Sequence, residues 1–268
     1  AYTLAGEIGS AAGALGLLAG SSSYRPLLVA SAAAVLAGLV VLRPVARNAP
    51  ARSRTRAPRR APATRRTIRA LFVLLLTDSV GGGLLAASFL AFWFSAHFTL
   101  SAGEVGILFL SARIANAASL PLAERLAGRI GLVRTMVFTH LPANLLLIGV
   151  VLAPSAPVAV ALYLVRESLS QMDVPARSSF ITGILAEPDR VAGLGAATLA
   201  RQLGWAVGPA LGAAAAAVAG VAGTLLLGAG VKIVYDLSFF ARFRAVAPPE
   251  EERDPVDAPC ARGTRAVH

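Results

Sequence analysis

A single cysteine, Cys260, stands in the whole chain, in a polar tail, so neither an internal disulfide framework nor a cysteine-based zinc site is available. Histidine occurs three times, widely spread. There is no H-E-x-x-H pair and no nucleophile elbow, which leaves no enzyme constellation, no metal site and no cofactor motif. Charge is scarce as well: 15% of the 268 residues, where a soluble domain carries about 25%. What abounds is apolar side chain, 56% of the residues with a mean hydropathy of +0.68. These proportions predict an all-α, polytopic transmembrane helical bundle whose first partner is the lipid bilayer.

The net charge of +11 points less to a basic protein than to one basic segment. Arg43, Arg47, Arg52, Arg54, Arg56, Arg59, Arg60, Arg65, Arg66 and Arg69 supply ten of those charges with no acid between them. Because the excess sits between apolar stretches and not on a folded surface, nucleic acid is not an expected partner. The segment is rich in Arg, Pro, Ala, Ser and Thr, cannot bury enough surface to offset its ordering entropy, and reads as a flexible linker over 44–68. It either holds its flanking helices inside-facing or docks on anionic headgroups. The tail at 247–268 is polar and Pro-rich and reads as disordered and cytoplasmic.

A membrane span needs about 20 mostly apolar residues. Eight stretches qualify: 2–20, 24–43, 69–94, 103–122, 134–153, 157–183, 191–217 and 220–243. The connections 21–23, 95–102, 154–157 and 217–219 hold no Lys or Arg, whereas 43–69, 123–134, 184–190 and 242–268 hold most of them. By the positive-inside rule the second set faces the cytoplasm, with both termini cytoplasmic. The abrupt apolar start at Ala1, without a signal-peptide pattern, predicts a piece of a longer chain.

The sequence also repeats itself. Thr3, Leu4, Ala5, Gly9, Ala11 and Gly13 recur as Thr198, Leu199, Ala200, Gly204, Ala206 and Gly208 at one offset, pairing the first span with the seventh. Six spans between equivalent helices is the arrangement of two parallel six-helix halves joined by a long linker. With the basic linker after the second span, the chain resembles the major facilitator superfamily over nearly its whole length. Arg125-Leu-Ala-Gly-Arg129-Ile-Gly131-Leu-Val-Arg134 is similar to the family's short cytoplasmic gating signature. Ser170 to Arg177, followed by Glu187 to Arg190, is similar to the stretch leaving the tenth helix. Gly204, Gly208, Pro209 and Gly212 look like its Gly/Pro helix-packing motif. One position departs from the pattern: Gly128 stands where an acid precedes the basic residue, and Glu124, four residues earlier on the same helix face, can supply the displaced charge.

On this resemblance the spans correspond to about the fifth to twelfth of twelve helices. Residues 1–43 are then the last two helices of an N-terminal half, 69–246 is a six-helix C-terminal half, and the missing N-terminal helices of the same protein are a partner. The resemblance implies a secondary active transporter of small organic solutes in the inner membrane, exporting by proton exchange. The rival reading is a non-transporting scaffold or receptor, or an inactive transporter fragment.

A charge deep in a bilayer needs a partner, water or a function. Asp78, followed by the triplet Gly81, Gly82 and Gly83, reads either as a coupling or substrate site beside a locally unwound helix or as a packing kink paired to an Arg. Arg113, with Asn116 one turn later, either neutralises Asp78 or holds an anionic substrate. Arg166, Ser170, Asp173 and Arg177 recur at helical spacing and form one polar stripe. Within it Arg166 and Glu167 are a cavity or proton-relay pair or a structural ion pair, and Asp173 and Arg177 an i,i+4 salt bridge. Lys232 and Asp236 read as a self-satisfied i,i+4 pair, Arg201 as a structural, snorkelling residue, and His140 with Pro142 and Asn144 as a kink or a proton relay. Trp93 reads as an interfacial belt residue and Trp205 as packing.

Overall fold

The computed structural model describes residues 61–246, and every regular element within them is an α-helix. The helices are α1 (Pro62–Leu84), α2 (Ala87–Phe98), α3 (Ala102–Ile130), α4 (Leu132–Val151), α5 (Ala156–Ser170), α6 (Asp173–Ile184) and α7 (Glu187–Phe243). The spans expected at 2–20 and 24–43, the linker as far as residue 60 and the tail 247–268 lie outside the described residues. Among the described residues, four stretches are long and apolar enough to cross a membrane: Pro62–Phe98, Ala102–Ile130, Leu132–Val151 and Glu187–Phe243.

The helix boundaries correct several sequence expectations. The end of the expected linker, residues 62–68, is already helical, because Pro62 sits at the first helical position, where its missing N–H costs nothing. The glycine triplet does not unwind α1. The helix runs through it and breaks afterwards, at Leu85 and Ala86, before resuming as α2. The single span expected at 157–183 is two shorter helices meeting at Gln171 and Met172. Pro175 accounts for the break, since its ring clashes with the carbonyl four residues back, at Gln171.

The spans expected at 191–217 and 220–243 form one element, α7, broken at Gly220 (φ 71°, ψ 173°). A straight helix would hold Gly208 and Lys232 about 36 Å apart. Both instead touch one turn of α1: a Cβ on Gly83 would lie 2.5 Å from the Gly208 Cα, and one on Gly81 would lie 2.7 Å from the Lys232 Cγ. The chain therefore doubles back at Gly220, in a backbone region open essentially to glycine alone. Gly131 (φ 87°, ψ 161°) makes the same kind of reversal between α3 and α4.

The first limb of α7 lies on α1 through small residues. Cβ atoms built on Gly204, Gly208 and Gly212 would meet Ser79, Gly83 and Phe89, and the Pro209 ring closes against Gly83. Such contacts bring two backbones together and give van der Waals packing that lipid cannot match. Around this pair two apolar clusters form. One gathers Leu90, Trp93, Phe94, Leu108, Leu147, Tyr163 and Leu225. The other gathers Leu71, Leu75, Met136, Phe180, Tyr235, Phe239 and Phe243, with Phe239 and Phe243 ring centroids 4.9 Å apart. Along α1, α4 and the second limb of α7, the buried residues between the clusters include Asp78, His140 and Lys232.

Candidate functional site

Each of these polar residues stands near the middle of its helix. Asp78 is sixteen residues into the stretch Pro62–Phe98, Lys232 twelve past the reversal at Gly220, and His140 eight into α4, which is about 24, 18 and 12 Å along the respective axes. The layer is buried: Asp78, His140, Glu167, Asp173, Arg177, Lys232 and Asp236 are all shielded.

Asp78 is its hub. Lys232 Nζ donates to Asp78 Oδ1 at 2.5 Å, Arg177 Nη2 lies 3.5 Å from Oδ2, and His140 Nε2 lies 3.8 Å from Oδ1. Arg177 also bonds Asp173 one turn back, which is the expected i,i+4 salt bridge. On the other side of the imidazole, His140 Nδ1 lies 2.7 Å from Asp236 Oδ1, and Asn144 Nδ2 donates to Asp236 Oδ2 at 2.9 Å. A second group centres on Glu167, which accepts from Arg166, from Arg113 Nη2 at 3.2 Å and from Asn116 Nδ2 at 3.3 Å.

Two expected pairings are overturned. Lys232 and Asp236 do not satisfy each other: Lys232 reaches across to α1 and Asp236 to α4, so the i,i+4 spacing is used for two interhelical contacts in place of one local pair. Arg113 does not neutralise Asp78 but lies on Glu167 of α5, the helix α3 packs against. The polar stripe is broken as a helix face, yet all its members border one cavity.

That cavity has two lobes of about 130 and 180 Å³. Asp78, Asp173, Arg177 and Arg201 line the first, and Arg113, Tyr163, Arg166 and Glu167 the second. Gly82, His140, Ser170, Gln171, Trp205 and Lys232 border both, so the lobes adjoin. The two tryptophans depart from their expected roles. Trp93 is 4% exposed and stacks on His97 within an apolar cluster, while Trp205 is 51% exposed and walls the cavity. Arg201, which is exposed, borders the first lobe.

The residues of the expected gating loop form no loop. Glu124, Arg125 and Arg129 continue the exposed end of α3, Gly131 makes the reversal, and Arg134 is exposed on the first turn of α4. Tyr163 carried no signal in the sequence beyond an aromatic in an apolar run. His140 and Asn144 did carry one, two polar residues one turn apart in an apolar span, but beside Pro142 a kink was the favoured explanation.

No protein-family profile matches the chain. Over 140 residues it is 23% identical to an uncharacterized membrane protein of Saccharomyces cerevisiae, a match covering 52% of this chain and 31% of that protein. The chain thus matches less than a third of that relative's length. With the four apolar stretches of spanning length, this makes it a helical membrane protein.

Proposed function

We propose that the chain belongs to a secondary active transporter of small organic solutes, resembling the major facilitator superfamily and exporting its substrate from the cytoplasm by proton exchange. The observation that carries this reading is the buried charge layer between two apolar clusters, bordering a two-lobed cavity at mid-helix depth. Charges in such a place are costly, and a packing role alone is served as well by apolar side chains. Four stretches among the described residues are long and apolar enough to cross a membrane, which supports a membrane-embedded transporter.

In this mechanism the helices that share the charge layer rock between two arrangements. Asp78 on α1, His140 on α4 and Asp236 on α7 are in series, so a proton arriving on His140 or on either carboxylate changes which interhelical contacts are favoured. Protonation biases the equilibrium only through its different affinity for the two arrangements. Glu167, held by Arg113 and Arg166, is the second group able to gate the exchange.

The test is flux. The full-length protein in proteoliposomes, with a pH gradient imposed, is expected to move at least one solute of a panel of small organic cations, anions and neutral compounds faster than protein-free vesicles. Folded protein that moves none of them would favour the scaffold or receptor reading. Orientation has its own test, with Cys260 replaced by serine. Ala102→Cys and Gly128→Cys stand at exposed sites about 39 Å apart along α3. The first is expected to react with an impermeant thiol reagent on intact cells and the second only after lysis; the reverse pattern would invert the topology.

A further inference from the structure

We propose that a groove between α1 and the first limb of α7 holds an anionic phospholipid, its phosphate on Arg65 and Arg69 and an acyl chain along Ile68, Phe72 and Ala196. Those five residues line an open groove of about 380 Å³, away from the two-lobed cavity. Arg65, Ile68, Arg69 and Phe72 recur at three- and four-residue steps and share one face of α1, and Ala196 comes from α7. The two arginines are exposed, whereas Ile68, Phe72 and Ala196 are half-buried and make an apolar floor.

The depth suits a lipid. Toward the N-terminal end of α1, Phe72, Arg69 and Arg65 lie about 9, 14 and 20 Å from Asp78 along the helix axis. Half a hydrocarbon core is about 15 Å, so with the buried charge layer near the bilayer centre both guanidinium groups reach headgroup level and Phe72 stays at acyl depth. A phosphate also needs positive charge that is still to be neutralised. No acid occurs in the sequence between Glu7 and Asp78, and among the described residues no carboxylate pairs with Arg65 or Arg69. Like charges one turn apart on a helix repel, and an anion lying between them removes that repulsion. Guanidinium forks match phosphate oxygens, and basic pockets between membrane helices suit anionic headgroups. A zwitterionic lipid brings its own cation to the same place and gains less.

Native mass spectrometry of the full-length protein in detergent reads the bound lipid by its mass. With phosphatidylglycerol and phosphatidylcholine of equal chain length at equal concentration, the one-lipid adduct is expected to favour phosphatidylglycerol by roughly tenfold. The double variant Arg65→Gln/Arg69→Gln is expected to bring that ratio below about twofold. Arg66→Gln removes the same charge from the same helix outside the groove, and the ratio is expected to stay within about twofold of the wild type. Ala196→Leu keeps every charge and fills the floor, so bound phosphatidylglycerol is expected to fall by at least about threefold. The arginine positions are exposed, and a thermal melt checks that each variant is folded. Equal binding of the two lipids, Arg66→Gln as damaging as the double variant, or Ala196→Leu without effect would overturn the proposal. Displacement of the lipid by glycerol 3-phosphate at the same concentration would overturn it too, in favour of a soluble phosphate ester. A preference that emerges only when Glu250, Glu251 and Glu252 are replaced by glutamine would instead assign the groove to the chain's own acidic tail.

Discussion

Asp78→Asn is expected to destabilise the protein by about 3–5 kcal/mol, because Lys232 and Arg177 would keep their charges in the interior after losing the carboxylate between them. In a thermal melt in detergent that is a fall of the order of 10 °C. The paired variant Asp78→Asn/Lys232→Met removes the orphaned ammonium as well, and Arg177 keeps Asp173. It is therefore expected to recover most of the loss, giving a coupling energy of at least about 2 kcal/mol in the double-mutant cycle. Additive losses in the double variant would mean that the two side chains do not share one energetic site. Lys232→Met alone should cost less than Asp78→Asn, since Arg177 still lies against Asp78.

The second large effect concerns the contact between α1 and the first limb of α7. A side chain at Gly208 would start 2.6 Å from the Gly83 Cα and 3.1 Å from the Val80 carbonyl oxygen, both backbone atoms that cannot turn aside. Gly208→Leu is expected to cost at least about 3 kcal/mol, the upper end of the usual overpacking penalty. The folded, monodisperse peak in size-exclusion chromatography should largely disappear. Gly212→Ala is milder, because the obstacle there is the Phe89 ring, which can rotate away. Gly128→Ala meets nothing within 4 Å and should be neutral or slightly stabilising through helix propensity. Equal effects at the three positions would show that backbone approach is not what holds the two helices together.

The two contacts differ in how legible they were. The packing glycines could be read directly: small residues at four-residue spacing in an apolar span have few other uses, and Gly204, Gly208 and Gly212 all lie at the contact. Helix existence was also plain, because long apolar runs leave little choice of structure. Boundaries inside those runs were not. The triplet at Gly81 to Gly83 looks like a break by propensity, but each glycine is kept helical by what packs on it, and the fold breaks two residues later. Partner choice among the charges was the hardest part. Spacing on one helix suggests local pairs, correctly for Asp173 and Arg177 and wrongly for Lys232 and Asp236. The second pair lies between helices that present Asp78 and His140, and that neighbourhood is set by the reversals at Gly131 and Gly220, which spacing along one helix does not encode.

Proton movement tests the central claim most directly. The full-length protein is reconstituted in proteoliposomes holding a pH-sensitive dye, and a transported solute is added outside without an imposed gradient. Solute entry is expected to shift the luminal pH in the wild-type protein, and the Asp78→Asn/Lys232→Met variant, folded but without the ion pair at the hub, is expected to give no shift. An equal shift in that variant, or solute flux in the wild type with the luminal pH unchanged, would contradict a proton-coupled transporter working through this charge layer.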